Sequence, residues 1–497
     1  MTDFCTIAID QGTTSSRVMA FSDAGEVIAQ SGQEFPQYFP QPGWVEHNAD
    51  EIFDSVCASL SSVLESLGHH TPCAVGLTNQ RETVVLWERE SGAPVAPAIV
   101  WQDRRTADYC NALKGEGAEA DIIARTGLLL DPYFTATKLR WLLQSDPALR
   151  HRAEAGELLA GTIDSYIAYR LTGEHITDHS NASRTLLYNV ETATWDDTLC
   201  ALFSIPQNML PRIVDSAGAL GTVKADAPGA GLPLTGIAGD QQAATIGQAC
   251  LEPGMAKATY GTGCFLLANT GKALIRSKNR LLSTVLCSLD GVRSFALEGS
   301  IFVSGSLIQW MRDGLGLLSD ASESEALAKS VTDSGGVVIV PALTGLGAPY
   351  WNADARGAIF GLTRGAERAH LVRAALEAQS FQTHDLVQAM AGDGQTIHSL
   401  RVDGGMVANT WLCQDLADIL AMPIERPSIV ETTALGAAIL AKYGVGRSDD
   451  LAAAATSMTR LETRFDPTRG LQTERESRLA RWRDAVSRVD GPALGAL

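Results

Sequence analysis

Several signatures of nucleotide and acyl chemistry are missing from this chain. It has no Gly-x-x-x-x-Gly-Lys-Ser/Thr loop, no Gly-x-Gly-x-x-Gly turn and no Gly-x-Ser-x-Gly elbow. A P-loop nucleotidase and a serine hydrolase thereby lose their support, and a dinucleotide-binding or protein-kinase reading weakens. Basic charge is also scarce. The 39 Lys and Arg against 57 Asp and Glu leave a formal charge of −18, the wrong sign for a nucleic acid or an anionic membrane surface. The nine cysteines include no Cys-x-x-Cys pair, so neither a zinc ribbon nor a thioredoxin-like motif is suggested, and buried free thiols are expected. No basic region followed by a long apolar stretch marks a signal peptide at the N-terminus. The longest uncharged apolar stretch, 335–353, is broken by Pro341, Gly345, Gly347 and Pro349, which suits a buried strand and loop better than a membrane span. A cytoplasmic protein is expected.

What is present is a globular composition, 45% apolar and 19% charged over 497 residues, enough for two or three domains. The first apolar run ends in Asp10 and leads into Gln11-Gly12-Thr13-Thr14-Ser15-Ser16-Arg17. A short strand would deliver Asp10 to its tip, where a carboxylate can face a hard cation such as Mg²⁺. Gly12 permits a tight turn whose backbone N–H groups can point at one anion. Thr13, Thr14 and Ser15 add hydroxyl donors, and Arg17 adds a charge able to meet phosphate in bidentate fashion. An ordinary hairpin turn is the alternative for this octad alone.

Periodicity predicts strands at 6–9, 17–21 and 26–30, a helix over 49–67 and a strand pair at 74–78 and 83–87. Strand and helix patterns alternate, which favours an α/β architecture. A second cycle begins past the middle. Gly239-Asp240-Gln241-Gln242, Tyr260-Gly261-Thr262-Gly263 and Asp403-Gly404-Gly405 repeat the strand, acid and small-residue layout of the N-terminus. Two related halves are expected, with domains at 1–250 and 251–445 and a helical tail, 446–497, packed on the second. His175 and His179 have the spacing of a helical metal pair, but their polar neighbours argue for a loop.

The clusters occur in a telling order: DQGTTSSR at 10, NQRE at 79, VWQDRRT at 100, DPYF at 131, GDQQA at 239, YGTGCF at 260 and DGGMVAN at 403. Together they resemble the FGGY family of carbohydrate kinases, and within it the members that act on glycerol. The resemblance extends to about residue 445 and includes Gly357–Leu362 and Ala374–Glu377.

This resemblance implies two actin-like (ribonuclease H-like) α/β ATPase domains flanking a central cleft. It implies transfer from ATP with Mg²⁺ to glycerol, giving sn-glycerol 3-phosphate, the first step of glycerol catabolism, in a homodimer or homotetramer with neither nucleic acid nor a membrane span. Arg81, Glu82, Trp101, Tyr133, Asp240, Gln241 and Phe265 would bind glycerol, with Asp240 as general base. Thr13, Thr14, Ser15, Arg17, Thr262, Gly305, Gln309, Gly405 and Asn409 would hold the nucleotide, and Asp10 the metal. Another polyol or a ketose as acceptor, or a non-catalytic actin-fold ATP-binding protein, remain the competing readings. One departure has a consequence for regulation. Family members inhibited by fructose 1,6-bisphosphate carry a basic loop where this chain has Ala225–Pro233, without Lys or Arg, so no such inhibition is expected.

Overall fold

The computed structural model describes residues 3–429 and 431–491. Its first large sheet has six strands, in the spatial order Ala217–Thr222, Pro233–Gly239, Thr71–Asn79, Phe4–Gln11, Ser15–Ser22 and Val27–Glu34. Phe4–Gln11 pairs antiparallel with Ser15–Ser22, with Asp10 opposite Arg17, and parallel with Thr71–Asn79. Its middle, Ile7-Ala8-Ile9, is apolar without alternation because both faces are covered. Ile7 and Ile9 pack with Ile52, Val56 and Leu60 of the helix Ala49–Glu65. Ala8, on the opposite face, shares a cluster with Leu435 and Ala438 of the helix Thr432–Gly444.

The second sheet has seven strands, ordered Leu282–Leu289, Val292–Ile301, Cys264–Gly271, Met255–Tyr260, Ser399–Asp403, Ile424–Pro427 and Leu461–Phe465. Met255–Tyr260 pairs antiparallel with the strand that follows it and parallel with Ser399–Asp403. Phe4–Gln11 has the same relations in the first sheet, so both halves share one layout. The helix Thr432–Gly444 joins them, crossing from the second half to cover the first sheet. There it meets the helix Asp240–Gly247 without side chains between: a Cβ on Gly436 would lie 1.8 Å from the Ala243 carbonyl oxygen, so only glycine permits this approach.

Three expectations need correction. Thr71–Asn79 and Val84–Glu88 do not pair with each other. The second joins a separate four-stranded sheet beside Leu158–Thr162, because the chain turns sharply at Glu82, whose φ is 63°. The tail is not purely helical. Leu461–Phe465 adds an edge strand to the second sheet, and the helix Leu451–Met458 shares a core with Met19 and Phe21 of the first half; only Gln472–Val489 lies wholly on the second, where Trp482 stacks on Phe381 at 5.5 Å. His175 lies in the loop before the short strand Ile176–Asp178, as expected, but His179 opens the helix His179–Ala182 instead. Each is hydrogen-bonded, to the Ala160 carbonyl at 3.1 Å and to the Tyr188 hydroxyl at 2.8 Å.

Candidate active site

The hydroxyl-rich turn closes the hairpin between the first two strands. Asp10 sits half-buried at its mouth and has no hydrogen bond among the described residues. Burial first, then the neighbouring charges of Asp240 and Glu431, push its carboxyl up to about 7 against the pull of Arg17. The Gly12 amide is committed to the Ser15 carbonyl at 2.9 Å, and its φ is not positive. This bond closes the turn, and the donors left to meet an anion are those of Thr13, Thr14 and Ser15. The Thr13 hydroxyl accepts from the Trp101 indole N–H at 3.0 Å. Arg17 is ion-paired with Glu431.

Arg81 and Glu82 follow the strand Thr71–Asn79 and are both buried. Arg81 Nη1 reaches Glu298 Oε2 at 2.6 Å and Gln242 Oε1 at 3.3 Å, Nη2 reaches Glu298 Oε1 at 3.1 Å, and Nε reaches Asp240 Oδ1 at 3.0 Å. Three of the five guanidinium donors are thus hydrogen-bonded and Nε is ion-paired with Asp240, leaving one Nη2–H unshared. Arg184 Nε donates to Glu82 at 2.6 Å and its Nη2 to Glu298 at 3.0 Å. Burial alone would raise the Glu298 carboxyl, yet Arg184 and Arg81 hold it at about 2. The cluster is a buried lattice of two arginines and two glutamates, with half-buried Asp240 at its edge.

Aromatic walls stand beside it. Trp101 and Tyr133 meet edge to face at 5.7 Å. Arg184 lies 5.7 Å from the Tyr133 ring, and burial raises the Tyr133 hydroxyl far above its ordinary pKa. Lys138 is buried behind this wall and donates to the Tyr133 carbonyl at 2.7 Å. Phe265, half-buried on Cys264–Gly271, lies between Thr259 and Ser300 of the adjacent strands.

Asp240 opens the helix Asp240–Gly247 with its side chain 32% exposed. Its Oδ1 accepts from the Gln241 amide at 2.6 Å and is ion-paired with Arg81 Nε at 3.0 Å. Oδ2 is left without a hydrogen bond among the described residues. The Gln241 side-chain oxygen accepts from Lys257 of the second sheet.

The expected nucleotide residues divide. Thr262 is exposed, with its carbonyl held by the Ser304 and Ser306 amides at 2.9 and 3.1 Å. A Cβ on Gly305 would lie 2.6 Å from the Gly261 carbonyl oxygen, so loop packing already requires that glycine, whereas one on Gly405 would meet nothing within 4 Å. Gln309 is exposed on the helix Gly305–Asp313. Asn409 is the N-cap of Thr410–Leu420, accepting from the Leu412 amide at 3.0 Å; its side-chain oxygen is therefore structural.

Sequence reasoning missed Arg184, Gln242, Lys257 and Glu298. The available signal was a charge inside an apolar strand, as in Phe295-Ala296-Leu297-Glu298 and Met255-Ala256-Lys257-Ala258, because a buried charge needs a partner. Among the described residues, no helix is long and apolar enough to cross a membrane.

The model of the FGGY family of carbohydrate kinases matches twice, its N-terminal domain over residues 5–247 and its C-terminal domain over 256–445. A glycerol kinase of Ectopseudomonas mendocina is 54% identical over 97% of this chain and 98% of its own. One of Alcanivorax borkumensis is 54% identical over 99% of each. Among solved structures, a Plasmodium falciparum glycerol kinase with ADP superposes with a TM-score of 0.94 at 34% identity, covering 100% of this chain and 99% of that one. A xylulose kinase of Lactobacillus acidophilus, 21% identical with a TM-score of 0.88 over 98% of this chain and 99% of its own, shares the fold. With both domain models matched and relatives similar from end to end, the chain belongs to the FGGY family of carbohydrate kinases.

Proposed function

We propose that this chain transfers the γ-phosphoryl group of ATP to the terminal hydroxyl of glycerol, giving sn-glycerol 3-phosphate and ADP. The observation that carries this reading is the unshared Oδ2 of Asp240. Arg81 and Gln241 stand directly beside this carboxylate and Glu82 borders Arg81, which supports reading Trp101, Tyr133 and Phe265 as the apolar walls of an acceptor site. The full-length similarity to glycerol kinases supports the choice of acceptor.

In this mechanism the substrate oxygen attacks the γ-phosphorus while the bond to the β-phosphate oxygen breaks. The hydroxyl proton passes to Asp240 Oδ2. Arg81 holds Oδ1 on the other side, which fixes the carboxylate and leaves a single oxygen to accept. Arg81 and Glu82, both immobilised by Glu298 and Arg184, orient the carbon chain before reaction, which lowers the entropy cost of alignment. Thr13, Thr14, Ser15 and Thr262 donate to phosphate oxygens, and Arg17 exchanges Glu431 for phosphate. Gly305, Gln309, Gly405 and Asn409 border the nucleotide, the open face over Gly405 leaving room for backbone approach.

Asp10 fits a divalent cation, since it offers a half-buried carboxylate without a hydrogen-bond partner among the described residues. A Mg²⁺ ion bound at Asp10 would supply positive charge to offset that of the transferring phosphoryl oxygens. The same reading makes the protein cytoplasmic and homo-oligomeric.

ADP release with MgATP across glycerol, dihydroxyacetone, glyceraldehyde, erythritol, xylulose, ribulose and no acceptor tests the proposal. Glycerol is expected to dominate. Equal turnover with a pentulose would remove glycerol as the preferred acceptor, and acceptor-independent hydrolysis alone would remove kinase chemistry.

A further inference from the structure

Lys257 occupies the middle of Met255–Tyr260, an interior strand of the second sheet. It is completely buried. Its strand neighbours Ala256, Ala258 and Tyr260 belong to the apolar core on one face, so Lys257 and Thr259 point to the other. There the Lys257 ammonium donates to the Thr259 hydroxyl at 3.0 Å and to the side-chain oxygen of Gln241. No carboxylate lies within ion-pair distance among the described residues. The charges that face it are Asp403, Asp240 and Glu298, with Arg81 opposing them. A desolvated ammonium without an ion pair is costly to keep, and fold packing gives no reason for one, since methionine would fill the same space.

An ammonium only donates, so the atom of Gln241 that meets it must be Oε1. The Gln241 amide is thereby held in one of its two flips. Its Nε2 has no hydrogen bond among the described residues and is not walled off from solvent. Gln241 follows Asp240 directly on the helix Asp240–Gly247.

We infer that Lys257 is a positioning residue that locks the Gln241 amide with its NH₂ toward the cleft, so that Gln241 reads its substrate hydroxyl as a hydrogen-bond acceptor. This inference rests on the glycerol-kinase reading. It assigns the proton of that hydroxyl to another partner, and it makes a residue of the second domain govern acceptor binding on the first. A free amide presents either end to the hydroxyl; a locked one has its orientation fixed before substrate arrives.

A double-mutant cycle between Lys257→Met and Gln241→Ala, reading the KM for glycerol, tests this. Because the lock acts only through Gln241, Lys257→Met is expected to raise the KM about ten-fold in the Gln241 background and less than two-fold in the Gln241→Ala background. The Kd of a non-hydrolysable ATP analogue should be unchanged in all four proteins, which also reports folding. Equal increases in both backgrounds, or none in either, would overturn the inference. Should Lys257→Met not fold, Lys257→Gln replaces it. That side chain can still donate to Oε1 but bears no charge, so a rise of about two- to three-fold, confined to the Gln241 background, is expected, and the same two outcomes count against the lock. Wild-type protein that does not phosphorylate glycerol would instead bring down the underlying function, a result read before any variant is made.

Discussion

Arg81 and Glu298 form a bidentate ion pair, at 2.6 and 3.1 Å, that fastens a residue of the first domain to a strand of the second. Both side chains are buried. The pair therefore does two things: it fixes the guanidinium that borders the acceptor site, and it ties the halves together at the base of the cleft.

Glu298→Gln should separate these roles from simple packing. The amide retains the shape but leaves Arg81 and Arg184 short of one negative charge. Removing one member of a buried pair costs about 3 kcal/mol, so calorimetry should show a melting temperature lower by several degrees. The KM for glycerol should rise at least ten-fold, because Arg81 loses the contact that orients it. An unchanged melting temperature would mean that the pair contributes no net stability.

Asp240→Asn leaves an acceptor for the Gln241 amide and keeps the helix start intact. It removes only the basic oxygen. Turnover is expected to fall by two to four orders of magnitude with the Kd for an ATP analogue unaltered. Near-wild-type turnover would remove Asp240 from the base role.

Trp101 links the acceptor wall to the phosphate turn, since its indole N–H donates to Thr13. Trp101→Phe keeps the ring beside Tyr133 and deletes that bond. One neutral hydrogen bond of about 1 kcal/mol corresponds to roughly five-fold in affinity, and this loss should fall on the KM for ATP. If the KM for glycerol alone changed, the indole–threonine bond would have no part in shaping the turn.

What the sequence revealed follows from how local each feature is. Asp10 and Arg17 lie on either side of one hairpin, and Arg81 and Glu82 are adjacent, so their grouping is visible without a fold. Glu298 is 217 residues from Arg81 and 114 from Arg184, and only closing the two halves together brings them into contact. The apolar run over 83–87 correctly marks a strand but carries no record of its sheet; the positive φ at Glu82 decides that. Asn409 shows the converse limit, a local structural role that its motif does not announce. A motif residue assigned to nucleotide spends its side-chain oxygen on a helix cap.

The segment Ala225–Pro233 has no basic residue, and Lys224 just before it donates to the Tyr169 carbonyl at 3.2 Å. A sugar bisphosphate needs several cationic donors. Millimolar fructose 1,6-bisphosphate should therefore leave activity within two-fold of control; saturable inhibition would show that a basic site exists elsewhere on the chain.

Lys138 gives the fold a pH dependence of known sign. Burial holds its ammonium down at about 7, against the pull of Glu82, Asp103 and Asp131, whereas an exposed lysine titrates near 10.4. Between these values the unfolded chain binds a proton at this site and the folded chain does not. Stability from this residue must then rise with pH across that window, by up to about 1.4 kcal/mol per unit. Below about 7 both states are protonated and the folded one bears the full cost of a buried charge. Lys138→Met removes the titration. The melting temperature of Lys138→Met minus that of wild type is expected to be positive and largest near pH 7, and to shrink steadily toward pH 10. A difference independent of pH would mean that Lys138 stays charged in the folded protein, held by the three carboxylates around it, and that its bond to the Tyr133 carbonyl is made by an ammonium throughout.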